Sequence, residues 1–322
     1  MRIARIKETK LPIEAEDLLT FEDLSQLEFI CADENCGVAL VPAAYKVNSK
    51  QRPHFRTLRK QEHSKDCKYS EFARILEIGG KRKITFEEFE NLPVPTKLIS
   101  PKTVSKDHIV KSNNTDLDGE NEGTTRRFTN SGQFDESGTN FKSVTSISQI
   151  VDFYLSCPFN RDIELMIFDK TKAYMYWFKR LKNTLKSDEP MEYSIYFGQV
   201  HQDNNFEGDS IGMVRIKMYD CEKWENEKDG RWTRLDKGQI NPFYVSIDTR
   251  KLGPIKKGRV MNELKFVRNE HSEAFKQGSK DKKRPFIFFV GKKRSKKENF
   301  EYEVYENQLV ARYTEIRRTV ID

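Results

Sequence analysis

Residues Met213-Val-Arg-Ile-Lys-Met-Tyr219 alternate apolar and polar side chains, the period-two pattern of a strand with one face on a core and one in water. Other strand-sized runs lie on either side of it. Tyr193-Ser-Ile-Tyr-Phe197 precedes it and Phe243-Tyr-Val-Ser-Ile247 follows. A helical stretch covers Val260 to Lys276, and further runs lie at Phe286 to Val290, Glu301 to Tyr305 and Leu309 to Tyr313. Three strands, a helix, then two or three strands is the order of a small Greek-key barrel of the oligonucleotide-binding (OB) type. Many other small α+β folds share that order. Upstream, two amphipathic helices are expected. Thr145 or Ser146 caps the first, whose stripe is Ile147, Ile150, Val151, Tyr154 and Leu155. The second spans Thr171 to Lys186, with Tyr174, Trp177, Phe178, Leu181 and Leu185 on one face.

The sharpest chemical signal lies near the N-terminus, in Cys31-x4-Cys36 and His63-x3-Cys67. Two thiolates at short spacing, followed by Gly37, form a knuckle whose backbone bends to aim both sulfurs at one point. His63 and Cys67 share a face if the stretch from His63 to Leu76 is helical. Together the four supply three sulfurs and one nitrogen, a closed tetrahedral set for one structural Zn²⁺ with no position open to water. His54 is the alternative fourth ligand. A small unit with few large apolar residues benefits from such a clip. Five cysteines in a long chain, three of them within Cys31 to Cys67, do not read as a disulfide framework.

The fold class expected is therefore α+β. A zinc-finger domain occupies residues 1–92. A flexible linker covers 93–140, where Pro93-Val-Pro95 and Pro101 give way to a polar run from Lys111 to Thr139. A mixed domain with two helices and an antiparallel, OB-like barrel sheet occupies 141–322.

The chain carries 57 basic and 50 acidic residues, a net charge of +7, and the excess is concentrated. Between Lys280 and Lys297 stand Lys282, Lys283, Arg284, Lys292, Lys293, Arg294, Lys296 and Lys297, with Asp281 the acid inside that stretch. Such density attracts polyanions. Arg215 and Lys217 extend it on one side of their strand. Tyr193, Phe197, Tyr219, Trp224 and Trp232 are candidate stacking platforms, and Lys50, Arg52, Arg56, Arg59 and Lys60 form a second basic patch near the metal ligands. The partner expected is DNA or RNA held through its backbone; a partner protein docked by finger and linker is the alternative. No segment has the length and apolarity of a membrane span, and the N-terminus lacks a signal peptide's apolar middle, so the expected location is the cytoplasm.

Catalysis finds little support. Asp162 and Glu164 with Asp169-Lys170 are the best carboxylates for a metal-dependent nuclease, but no second cluster supports them. Cys157 and Cys221 have no histidine nearby in sequence, and neither phosphate-loop motif occurs. No catalytic residue is assigned.

Phe29-Ile-Cys31, Cys36-Gly37, Pro53-His54-Phe55-Arg56 and His63-Ser-Lys-Asp-Cys67 together resemble the zinc-finger segment of the competence protein CoiA-like family, over roughly residues 13–76. The resemblance implies bacterial origin and work on DNA. Two departures stand out: the first cysteine pair is wider, and no second histidine closely follows His54-Phe55. The acidic set of the family's nuclease-like region is not found. Tyr196-Phe197-Gly198 is also similar to a strand of bacterial finger proteins that accompany mobile-element or anti-phage systems.

Overall fold

The computed structural model describes residues 1–317 except 22, 47–48, 50, 59–60, 90–91, 100–141, 187–191, 202–211, 222–223, 227–231, 235–240, 280 and 295–299. The first part comprises β1 (Ile3–Ile6), β2 (Pro12–Glu14), β3 (Phe29–Cys31), β4 (Ala39–Ala43), β5 (His54–Thr57), α1 (Lys68–Gly79) and α2 (Phe86–Phe89). Then come β6 (Pro95–Leu98), β7 (Lys142–Val144), α3 (Ile147–Ser156), β8 (Glu164–Ile167), β9 (Lys170–Ala173), α4 (Tyr174–Trp177) and β10 (Phe178–Arg180). The last part holds β11 (Ser194–Gln199), β12 (Met213–Cys221), β13 (Trp224–Asn226), β14 (Trp232–Arg234), β15 (Pro242–Asp248), α5 (Pro254–Lys276), β16 (Arg284–Lys293) and β17 (Glu301–Thr314). The class is mixed α+β. Among the described residues no helix is long and apolar enough to cross a membrane.

Strands β1–β5 form one sheet in the order β2-β1-β3-β4-β5. Met1 and Phe55 exchange two backbone hydrogen bonds, each 2.8 Å, which curls β5 back toward the start of β1 around Ala4, Leu18, Phe29 and Phe55. A second sheet has the order β7-β6-β8-β9. Here the linker expectation is corrected at its start. Pro95–Leu98 is a strand parallel to both β7 and β8, and Val94 and Leu98 are buried, because apolar side chains between the prolines have a core to enter. Residues 100–140 of that expected linker lie outside the described residues. The boundary at residue 92 is not a packing boundary either. Ile75 of α1 and Phe89 of α2 share one core with Leu98, Phe153, Trp177 and Phe288.

The expected helix over Thr171–Lys186 is also corrected. Phe168 (φ 48°) and Asp169 (φ 63°) make a two-residue turn with both residues left-handed, the geometry that matches strand twist in a tight hairpin. That turn commits β9 to pair with β8. One helical turn then buries Tyr174 and Trp177. The Tyr174 hydroxyl donates to the Pro95 carbonyl, and Trp177 Nε1 donates to the Leu165 carbonyl at 2.7 Å. Phe178 re-enters a strand parallel to β11. The apolar stripe is real, but three short elements bury it. The first helix agrees with expectation: α3 starts at Ser146, whose side chain accepts the Ser148 N–H.

The third sheet has the order β10-β11-β16-β17-β15-β12. Its β17–β15 pair is parallel and the pairs β11–β16, β16–β17 and β12–β15 are antiparallel. The two strands expected at Glu301–Tyr305 and Leu309–Tyr313 are one strand of 14 residues. It is kinked where Glu306 turns left-handed and the register with β16 shifts. The sheet is not a closed barrel. Among the described residues β11 and β12 approach just past the end of β11, through the bridge of Val200 to Met218 and the His201 N–H on the Lys217 carbonyl at 3.1 Å. Beside that bridge, Arg180 reaches Asp220 at 3.4 Å, and Asp220 accepts the Gln199 N–H at 3.3 Å. Leu181 packs so closely on Gly198 that a Cβ there would lie 2.9 Å from it.

Helix α5 joins this sheet to the first one. Val260, Leu264 and Val267 enter the core of the third sheet. Its next face carries Arg259, Glu263 and Glu270, which meet the N-terminal sheet and its loops through ion pairs. Arg52 binds Glu263 at 2.7 Å and Glu270 at 3.1 Å, and donates to the Ala311 carbonyl at 2.8 Å. Arg312 binds the same Glu263 at 3.1 Å and Asp152 at 2.8 Å. Arg2 bridges Glu16 and Asp152, and Arg259 holds Glu14 at 2.7 Å. Burial by itself raises the Asp152 and Glu263 carboxyls, but Arg2 and Arg312 facing Asp152, and Arg52 and Arg312 facing Glu263, outweigh it and hold both below their ordinary values. Glu14 behaves oppositely. Burial raises it to about 7 despite Arg259, with Asp17 and Glu16 adding repulsion.

Removing one partner of a buried pair leaves an uncompensated charge and costs about 3–5 kcal/mol. Glu263→Gln takes one carboxylate from each of two guanidiniums, leaving Arg52 with Glu270 and Arg312 with Asp152, so urea unfolding should show a loss toward the lower end of that range. The stability supplied by Asp152 and Glu263 is complete above their ordinary values of 3.8 and 4.5 and is lost as pH falls through their lowered folded values. Over the window from 4.5 to about 7, Glu14 acts in the other direction, its stabilisation fading as pH rises. The acid limb of a urea-midpoint profile should therefore be shallower in Asp152→Asn than in the parent.

Candidate functional site

Cys31 ends β3, where its N–H donates to the Val38 carbonyl and its own carbonyl accepts Arg5 Nε. The chain then turns: Asp33 Oδ1 accepts the Asn35 N–H, the Asp33 carbonyl accepts the Cys36 N–H, and Gly37 adopts φ +62°. That turn absorbs the four residues between the first two cysteines. The second pair arrives differently from expectation. Residues 63–66 are not helical. A turn closed by the Cys67 N–H on the Ser64 carbonyl brings His63 toward Cys67, and α1 begins only after Cys67. The other Asp33 oxygen accepts the Lys68 N–H at 2.7 Å, tying the first knuckle to the helix start.

The result is one cluster. The ligand atoms of Cys31, Cys36, His63 and Cys67 all lie within 4.8 Å of one another. Cys31 Sγ and Cys67 Sγ are 3.6 Å apart, and His63 Nδ1 is 3.3 Å from Cys36 Sγ and 3.5 Å from Cys67 Sγ. Bond lengths of about 2.3 Å to sulfur and about 2.0 Å to nitrogen in a tetrahedron put sulfurs about 3.8 Å apart and sulfur–nitrogen pairs about 3.6 Å apart. The cluster already has the dimensions of a shell around one ion. Cys31 and Cys67 are buried, while Cys36 and His63 are half-buried. Burial pushes up the Cys31 and Cys67 thiols. Burial opposes ionisation of Cys36 as well, yet the N–H groups of Val38 and Ser64 and the His63 ring outweigh it and bring that thiol down to about 6. Among the described residues this is the one group of three or more converging metal-ligand side chains. His54 is not part of it. It sits in β5 with Nδ1 on the Arg52 carbonyl at 3.0 Å.

The basic residues fall in separate places. Arg215 and Lys217 share the outer face of β12 with Tyr219, whose side of the strand is open and whose relative exposure is 61%. Tyr244 stands beside them on β15, in register with Lys217, and the Arg215 guanidinium lies 3.7 Å over its ring. His201 stacks near Tyr219, with ring centroids 6.2 Å apart. His201 reads from sequence as a polar loop residue, and Tyr244 is not among the expected stacking rings, although period two already puts it on the face opposite Phe243.

Lys282, Lys283 and Arg284 lie at the start of β16, and Lys292, Lys293 and Arg294 at its far end, about 25–30 Å away at strand rise. The basic run is therefore two patches. Lys293 donates to the Thr184 carbonyl, Lys292 lies over Tyr193, and Arg294 pairs with Glu301 at 3.0 Å. Lys296, Lys297, Lys50, Arg59, Lys60 and the side chains of Trp224 and Trp232 lie outside the described residues. Three expected surface residues are corrected. Arg52 is spent in the buried ion network. Phe197 is in the core, and Tyr193 packs against Phe168 and Tyr305. The nuclease candidates do not converge either: Asp162 pairs with Lys83 at 2.6 Å, and Glu164 is exposed in β8.

No protein-family model, curated protein or solved structure matches the chain.

A bound ion would replace repulsion among thiolates with attraction, so its loss should rank with the largest single-site effects, about 4 kcal/mol or more. Cys67→Ser should cut metal content from about one ion per chain to near none and lower the unfolding midpoint accordingly. Cys221→Ser, outside the cluster, should leave both unchanged; elemental analysis and thermal melts read the difference.

Proposed function

We propose that this chain is a nucleic-acid-binding protein that carries one structural Zn²⁺ and takes a single strand across the outer face of β12 and β15. The observation that carries the reading is the juxtaposition of two cations and two aromatic rings there: Arg215 and Lys217 with Tyr219 and Tyr244. Cations neutralise phosphates, and tyrosine rings give bases a stacking platform at about 1–3 kcal/mol each, Tyr219 standing open and Tyr244 half-buried under Arg215.

The connectivity supports the same reading. With β11, β12, β15, β16 and β17 numbered one to five, the neighbours are 1-4-5-3-2, strands three and five are parallel, and the helix lies between three and four. The bridge from Val200 to Met218 joins one to two. This order supports reading the sheet as a partly open OB-like barrel, whose second and third strands form the usual oligonucleotide face. Three sulfurs and one nitrogen, all from the protein, favour zinc over harder cations and leave no open position for catalysis. The likeness of residues 13–76 to the CoiA-like finger agrees with work on DNA. An accessory role in a bacterial defence or mobile-element system belongs to the same proposal.

Fluorescence anisotropy with a labelled single strand at two salt concentrations tests the reading. Affinity should fall steeply with salt, and Arg215→Glu with Lys217→Glu should weaken it by about tenfold or more. Tyr244→Ala should cost about fivefold or more through lost stacking. Salt-insensitive binding, or full affinity in the charge-reversed protein, would remove the proposal.

A further inference from the structure

Helix α5 has three faces, and two are already occupied. One enters the core of the third sheet and one meets the N-terminal sheet. The third is turned to solvent, and its charge is of one sign. Lys257, Lys265, Arg268 and Lys276 are all exposed and fall within an arc of about 100° at 3.6 residues per turn. They form a stripe about 28 Å long at 1.5 Å per residue. The helix also holds three glutamates, Glu263, Glu270 and Glu273, and none lies on that arc. Glu263 and Glu270 point the other way, where Arg52 and Arg312 bind them. The buried network thus draws the acids inward and leaves the outer face basic.

The stripe continues past the helix. Gly278, at φ +62°, accepts the left-handed turn that ends α5, and its N–H bonds the Phe275 carbonyl. The chain then presents Lys282 and Lys283, both exposed, at the helix's negative end. Asp281 is already engaged by the Lys283 N–H and the Tyr313 hydroxyl. Among the described residues, none of the six cations has an acidic partner.

From this geometry we infer a second polyanion surface, the solvent face of α5 with Lys282 and Lys283, which receives the phosphate backbone of duplex nucleic acid. The occupant follows from complementarity. A duplex is a stiff rod carrying about one negative charge per 1.7 Å of axis, and a helix whose backbone is already ordered lines its cations up beside it, so that only their side chains lose freedom. The stripe has no row of rings on which a single strand would stack. A membrane-lying helix needs an apolar face to insert; the apolar face of α5 is buried in the core, and Phe275 is the one large apolar side chain exposed on it. Binding here carries no base readout, because only backbone charge is addressed.

This surface is separate from the β12–β15 face, and the test keeps the two apart. Lys265→Glu with Arg268→Glu is compared with Arg215→Glu/Lys217→Glu on a blunt DNA duplex and on a single strand, with zinc content and circular dichroism as checks of folding. Reversal on α5 should weaken duplex binding by about tenfold and flatten its salt dependence while leaving single-strand affinity unchanged. Lys257→Glu with Lys276→Glu, at the stripe's ends, should act in the same direction. Unchanged duplex affinity in both α5 variants would overturn the inference. So would equal losses on duplex and single strand, or binding to phosphatidylserine vesicles with none to duplex. If the parent binds no single strand but α5 reversal still abolishes duplex binding, the β12–β15 proposal falls and this one stands.

Discussion

The carboxylate of Glu263, buried between the guanidiniums of Arg52 and Arg312, is the constraint on which the arrangement of the molecule depends. Arg52 comes from the N-terminal part, Glu263 from α5 and Arg312 from β17, and Arg312 passes the charge on to Asp152 in α3. Four segments far apart in sequence are thus held by one chain of alternating charges. Such a network is costly to desolvate and adds little net stability over an apolar contact. Each member meets its partners in this docking geometry, and a slip that separated them would leave buried charge unpaired.

The metal cluster supplies a second link of a different kind. Cys31 belongs to the small sheet, whose own core is slight. Cys67 is the residue from which α1 departs, and α1 packs by Ile75 into the large central core. An ion held by both would therefore staple one core to the other. The ion network orients the N-terminal sheet on α5, and the cluster fixes the chain that leaves it.

The third sheet stops short of closing for a visible reason. Leu181 and the Arg180–Asp220 pair occupy the seam between β11 and β12, where hydrogen bonds of a closed barrel would otherwise run. The strands that remain open to water are β12 and β15, which carry the Arg215–Tyr244 contact. Of the two, β12 is the edge of the sheet; an edge with unpaired backbone groups is ordinarily an aggregation risk, and here a charged, ring-bearing face lies beside it.

Much of this was legible in the amino-acid order. Period-two alternation located β12, because a half-buried strand requires it whatever its neighbours, and short apolar runs located β11, β15 and β16. Ser146 located the start of α3 by local capping. The four side chains that could hold a metal ion were legible by residue type and spacing, since few other side chains suit such a site. The tertiary structure decided the rest. A helical stripe over Thr171–Lys186 became two strands, a turn of helix and a 3-10 turn, because a left-handed pair at Phe168 and Asp169 and a place beside β11 outweighed local periodicity. Pro95–Leu98 left the linker because β7 and β8, distant in sequence, offered it hydrogen bonds. Arg52 left the surface because Glu263 and Glu270 wait on α5. In each case the deciding partner lies far along the chain, and local sequence carries no record of what long-range contact brings near. Composition and spacing determined which chemistries this protein contains; packing alone determined which charges are spent inside and which are left facing water.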